Sequence, residues 1–170
     1  MIRVQREDFD VGVELERLAA GNHRIGGLAS FIGLVRDIGG SERVSALTLE
    51  HYPGMTEKRL AEIETEAHRR WPLDVVLMIH RYGRLEPGDR IVFVATASAH
   101  REAALAACHF LIDWLKTEAP FWKSEETPAG ERWVAARAED DTARERWNPP
   151  LPENREEIRG GPKKRPSDRP

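Results

Sequence analysis

The chain has 170 residues, of which 40% are apolar and 32% charged, with a formal net charge of −3 and one cysteine. That length suits one domain with a proper core, not two large ones. The acidic excess argues against a dedicated nucleic-acid binder, and a lone cysteine, Cys108, excludes an intrachain disulfide and any CxxC metal or redox motif. The opening "MIRVQREDFD" lacks the apolar centre of a signal peptide, and no apolar run approaches the ~18 residues needed to span a bilayer. The expected compartment is the cytoplasm.

In chain order, "IRVQREDF" alternates apolar and polar residues and predicts a half-buried strand. Asp10 is placed to cap a short helix ending near Gly21. "GGLASFIGLV" predicts an apolar strand, "RDIGGSER" a glycine-marked loop, and "VSALTLEHY" an alternating strand that turns at Pro53-Gly54. Thr56 is placed to cap a helix over "EKRLAEIETEAHRRW", where Leu60, Ile63, Ala67 and Trp71 share one face and Pro72 stops the run. "DVVLMIHRYG" and "DRIVFVATAS" predict strong strands, and the tight turn at Glu86-Pro87-Gly88-Asp89 between them demands an antiparallel pair. "HREAALAACHFLIDWLKTEA" is helical and apolar on most sides, hence largely buried, and Pro120 ends it by removing a donor and disfavouring helix at Ala119. "FWKSEE" and "RWVAAR" predict a last hairpin around "TPAGE". The pattern is that of an α+β domain with helices packed on a mostly antiparallel sheet.

From Asn148 the composition changes. The stretch 148–170 holds six of the 11 prolines, with six basic and four acidic residues, which leaves the body before it at −5. Such a segment buries too little apolar surface to offset its ordering entropy, so a domain over 1–147 and a flexible tail over 148–170 are expected.

The chain has no GxxxxGK(S/T) phosphate loop, no GxGxxG after a strand, no HExxH and no GxSxG. None of the six histidines forms a pair with metal spacing, and neither a metal nor a cofactor is expected. Cys108, among alanines in mid-helix, reads as a small core residue. What remains is a set of cations where elements end. Arg36 follows the strand "ASFIGLV". His100 and Arg101 open the long helix, where unpaired backbone donors and the dipole favour an anion. Lys116 closes that helix, about 24 Å away at ~1.5 Å per residue, too far for one compact ligand to touch both ends within one protomer. Lys123 follows Pro120 in "LKTEAPFWKSEE", beside Phe121 and Trp122. Taken singly, each cation also fits ordinary surface decoration, and His51 and His80 fit hydrogen-bonded structural residues. Together they predict an anion-binding α+β domain and no more.

At these residues the chain resembles the large, catalytic subunit of molybdopterin synthase. The resemblance runs from "GGLASFIGLVRD" through "LEHYPGMTEK", "IHRYGRLEPGD" and "AHREAALAACHFLIDWLKTEAPFWKSE" to "GERWVAAR" and "RWVAARAED". It leaves out the proline-rich tail. It implies an α+β fold with an α/β hammerhead-like core and a sulfur-transfer enzyme of molybdenum cofactor biosynthesis. Such enzymes convert cyclic pyranopterin monophosphate (precursor Z) to molybdopterin by installing its dithiolene. The sulfur arrives as a thiocarboxylate on the C-terminal Gly-Gly of a small ubiquitin-like subunit, which threads into a pocket of the large one. Two large subunits pair centrally, with a small subunit at each end, in a heterotetramer.

The resemblance places substrate and catalytic positions on Arg36, His100, Arg101, Lys116 and Lys123, flanked by Leu34, Val35, Ser124 and Glu125. Arg137 is implied to reach the pocket from the partner large subunit. Ser124 departs from a second lysine that family members often carry there. Arg36, Arg101 and Arg137 suit bidentate recognition of phosphate or pterin. Partial burial among cations would favour a neutral amine at Lys116, for proton transfer or transient covalency. Lys123 would stay charged and stabilise the thiocarboxylate or a developing oxyanion, and His100 would shuttle protons when the phosphate ring opens. Two rivals share these features: a non-catalytic module that captures the tail of a ubiquitin-like partner, and a nucleotide or RNA binder, the latter weakened by the −5 body.

Overall fold

The computed structural model describes residues 1–39, 42–134, 146 and 147. Arg137 and the 148–170 tail lie outside the described residues. The elements are β1 (Ile2–Gln5), α1 (Val11–Ala19), β2 (Gly27–Leu34), β3 (Ile38–Gly39), β4 (Glu42–Arg43), β5 (Ala46–His51), α2 (Met55–Arg70), β6 (Val75–Arg81), β7 (Gly83–Leu85), β8 (Arg90–Ser98), α3 (Arg101–Glu118), β9 (Phe121–Thr127) and β10 (Gly130–Val134). No helix among them is long and apolar enough to cross a membrane.

The strands form two four-stranded sheets where the sequence predicts one, plus a two-stranded ribbon of β3 and β4. The first sheet runs β1-β6-β8-β2 and is antiparallel except for the parallel pair β1 and β6. The second, β10-β9-β5-β7, is antiparallel throughout. The α+β architecture stands as predicted.

Strand β6 explains why its sequence reads as an unbroken apolar run. Val76 and Met78 face α2 and α3, packing with Leu60, Ile63, Ala67, Ala104, Cys108, Leu111 and Leu115. Leu77 and Ile79 point the other way, towards Phe9 and Leu18, with Val11 and Leu15 of α1 packed alongside. A strand covered on both faces has no polar side, so period-2 alternation disappears. A third cluster, Val35, Leu47, Leu49 and Leu85, with Tyr82, Ile91 and Phe121 against it, holds the second sheet.

Three local expectations change. Asp10 does cap α1, accepting from the Val13 amide at 2.9 Å, but Thr56 does not cap α2. Gly54, at φ 83°, occupies the N-cap, and its amide donates to Glu57 at 2.6 Å. Thr56 is buried inside the first turn. The strand predicted over 74–83 is broken at Tyr82, and Gly83 at φ 91° redirects the chain so that β7 joins the second sheet. The 86–89 turn therefore links strands of different sheets, although β6 and β8 do pair antiparallel, from Val75 opposite Ala97 to His80 opposite Val92. That turn also holds the end of β2: the Val35 amide donates to the Asp89 carbonyl and the Gly88 amide to the Val35 carbonyl, each at 2.9 Å.

Candidate functional site

Helix α3 divides the predicted residues into two groups. His100 is its N-cap, and its amide donates to the Ser98 hydroxyl at 3.3 Å. Arg101 stands next to the start of β2, where a Cβ on Gly27 would lie 3.5 Å from the Arg101 Cα. Both side chains are exposed. The helix then runs back over β8 and β2, so Lys116 in its last turn lies towards the other end of the sheet. There β2 finishes with a register shift between Gly33 and Leu34, a bulge that re-aims the side chains beyond it. Leu34 is exposed, Val35 is buried in the third cluster, and Arg36 projects into solvent. Lys116 is exposed, not partly buried as the sequence predicts. His100 and Arg101 thus remain about 24 Å from Lys116 at ~1.5 Å per helical residue.

Strand β9 separates its residues by face. Residues directly opposite on paired strands share a face. Lys123 lies opposite Leu49 and Val134, and Glu125 opposite Leu47 and Arg132. Phe121, Lys123 and Glu125 therefore look towards the cluster that contains Val35. Glu125 is buried, with one oxygen 3.2 Å from the Lys123 ammonium and the other 3.0 Å from the Arg132 guanidinium. Burial pushes the Glu125 carboxyl up, but the hydrogen bonds from Arg132 and Lys123 outweigh it and hold the group below its ordinary value. The carboxylate is ionised at neutral pH and is shared between two cations.

Ser124 points to the opposite face. It is fully buried, and its hydroxyl donates to Glu131. Trp122 shares that face and is half exposed, turned away from Lys123. Phe121 stacks on His80, with ring centroids 3.8 Å apart, and His51 lies beside Tyr82 and Phe121 at 4.5 and 6.1 Å. Burial, with a smaller push from His51, lowers the His80 pKa to about 4 against the opposing hydrogen bond to the Arg81 carbonyl. The start of β9 is thus anchored by a neutral histidine two residues before the next inward-facing side chain.

Sequence reasoning missed Arg132, although a signal was present. A two-residue turn at Pro128-Ala129 pairs Thr127 with Gly130, which puts Arg132 directly opposite Glu125. A shallow depression of about 450 Å³ beside Leu34, lined in part by Ile32, Asp8 and Arg90, is a different place. Its arginine is already bound to Asp8. Among the described residues, no group of three or more His, Cys, Asp or Glu could hold a metal ion.

Fold and site together define an α+β domain with cations at both ends of one buried helix and a lysine–carboxylate–arginine triad across the β9–β10 hairpin that follows it. The family model described as MoaE protein matches residues 4–118. A relative from Ralstonia nicotianae, named molybdopterin synthase catalytic subunit, is 58% identical over 146 residues, covering 86% of this chain and 83% of its own. A solved molybdopterin biosynthesis MoaE protein from Burkholderia ambifaria is 57% identical, with TM-score 0.75 over 86% of this chain and 97% of its own. A Helicobacter pylori structure, titled as a complex of subunits 1 and 2 of molybdopterin-converting factor, is 18% identical over 80% of this chain and 91% of its own. Its TM-score of 0.66 makes that likeness one of fold alone. The chain belongs to the MoaE protein family.

Proposed function

We propose that this chain is the catalytic subunit of a cytoplasmic molybdopterin synthase, a sulfur-transferring enzyme. Its donor is the thiocarboxylated Gly-Gly tail of a small ubiquitin-like subunit and its acceptor cyclic pyranopterin monophosphate, on which it forms the dithiolene of molybdopterin. Membership of the MoaE family carries the reading. The chemistry of the site agrees with it: both reactants are anionic, and cations stand at both ends of α3 and just beyond β2.

In this reading Arg36, His100, Arg101 and Arg137 bind the phosphate and pterin, with Leu34 and Glu125 beside them, and Lys116 and Lys123 act at the reacting centre. Val35 and Ser124, both buried, support the strands that carry these groups and do not touch substrate. Lys116 is exposed in the last turn of α3, where a bound substrate can reach its ammonium. Lys123 is held by Glu125 and suits fixed electrostatic stabilisation. The distance between the ends of α3 is resolved by pairing of two large subunits, which brings groups of one chain to the other. Edge strand β2, with Phe31, Ile32 and Leu34 exposed, offers surface for such an assembly. A small subunit at each end completes a heterotetramer. Trp147, the last residue of the proposed 1–147 domain, packs on α2 and α3. The test combines the purified chain, a thiocarboxylated small subunit and precursor Z. Lys116→Ala is expected to abolish single-turnover dithiolene formation while small-subunit binding stays intact; full turnover by that variant would refute the role of Lys116.

A further inference from the structure

We propose that Arg132 is a positioning residue for Lys123, acting through the Glu125 carboxylate that the two cations share. The inference rests on the proposed function, in which Lys123 serves an anionic reactant.

One carboxylate sets the geometry. Glu125 is buried on β9 and each of its oxygens has its own cation, Lys123 at 3.2 Å and Arg132 at 3.0 Å. Lys123 reaches it along the same strand, at i−2. Arg132 reaches it from β10, directly opposite in the ladder. A planar guanidinium holds a carboxylate oxygen directionally, whereas an ammonium is a point charge on a four-carbon stem. Arg132 therefore fixes the plane of the Glu125 carboxylate and leaves one oxygen aimed at Lys123. It also takes one of the two oxygens for itself, so the charge of Glu125 is shared and an arriving anion finds Lys123 only partly neutralised.

Without Arg132 both effects reverse. The carboxylate turns freely and takes the Lys123 ammonium with both oxygens, and no second cation shares its charge. A lysine fully paired to a buried carboxylate binds an incoming thiocarboxylate or oxyanion poorly, because it must first break its own ion pair. A surface ion pair with only a structural role predicts otherwise: it contributes ~1 kcal/mol or less to stability and nothing to turnover. The side chains of Lys123 and Arg132 are 37% and 51% exposed, so water and substrate both reach the pair, and a role in turnover is open to it.

The experiment is a double-mutant cycle on the full chain assembled with its thiocarboxylated small subunit. It reads the single-turnover rate of dithiolene formation from precursor Z at saturating partner, and the thermal midpoint of each variant. Arg132→Gln is expected to slow the step about tenfold, which is ~1.4 kcal/mol of transition-state stabilisation, with the melting midpoint nearly unchanged. Arg132→Lys is expected to recover part of that loss, since it restores the charge but not the fork. In a Lys123→Ala background, Arg132→Gln is expected to cause no further loss, because the residue through which it acts is gone. If Arg132→Gln keeps the wild-type rate while Lys123→Ala loses it, the positioning role is overturned and the site reading survives. Equal, additive losses in both backgrounds overturn it as well. If Lys123→Ala itself keeps the wild-type rate, the site reading fails and this inference falls with it.

Discussion

His80 gives the fold an acid sensitivity that can be worked out from its surroundings. It stacks on Phe121 at 3.8 Å and donates from Nδ1 to the Arg81 carbonyl at 2.9 Å, and burial lowers its pKa to about 4 from the ordinary 6.5. Below pH 6.5 the unfolded chain takes up a proton at this position, while the folded chain resists until about pH 4. The stabilisation is thus fully present above pH 6.5 and is lost as pH falls through that window. A shift of this size is worth about 3 kcal/mol in all, of which about 2 kcal/mol is gone by pH 4.5. His80→Phe keeps an aromatic ring against Phe121 but cannot titrate. Urea unfolding of both proteins at pH 7 and pH 4.5 is the assay. Wild type is expected to lose about 2 kcal/mol more than the variant between these pH values, apart from any constant offset due to the lost hydrogen bond. Equal losses would refute the claim that His80 is held neutral.

Trp147→Ala removes edge-on ring contacts with Trp71, Phe110 and His109 and an Nε1 hydrogen bond of 2.8 Å to the buried Asp113. It is expected to cost about 2–3 kcal/mol in urea unfolding. Gly26→Ala places a Cβ 2.2 Å from the Ala99 carbonyl oxygen, backbone that cannot move without displacing His100 and Arg101. It is expected to cost at least about 2 kcal/mol in thermal unfolding and to weaken precursor Z binding by calorimetry. Glu66 bridges Arg69 and Arg70, whose hydrogen bonds hold its carboxyl at about 2 despite burial. Its stabilisation is present above its ordinary value of 4.5 and lost as pH falls towards 2. Glu66→Gln is expected to flatten acid unfolding in that range, read by circular dichroism.

Much of this architecture is legible in the residues, and the failures have physical causes. Proline and glycine punctuate the chain at Pro53, Pro72, Pro120 and Gly130, so the order of the main helices and strands emerges correctly, although the ribbon of β3 and β4 lies where the sequence predicts a loop. The division into two sheets does not, because apolar character continues across Tyr82 and only the positive φ of Gly83 marks the switch. Thr56 has the chemistry of a cap, but its burial beneath the 120–121 connection overrides local propensity. At the site, strand alternation already puts Lys123 and Glu125 on one face and Ser124 on the other. The partnership of Glu125 with Arg132 follows from the hairpin register once the turn is counted. The stacking of His80 on Phe121 joins residues far apart in the chain and on strands of different sheets, a pairing that no local pattern announces.

A chain that transfers sulfur and one that merely holds a tail differ in what they leave behind. The direct measurement is a single-turnover reaction of the chain with its thiocarboxylated small subunit and precursor Z, followed by mass spectrometry of both protein and pterin. A dithiolene carries two sulfurs, so sulfur transfer is expected to convert two thiocarboxylates to carboxylates for each molybdopterin formed. Tight binding of the small subunit with its thiocarboxylate intact and precursor Z unchanged would contradict it.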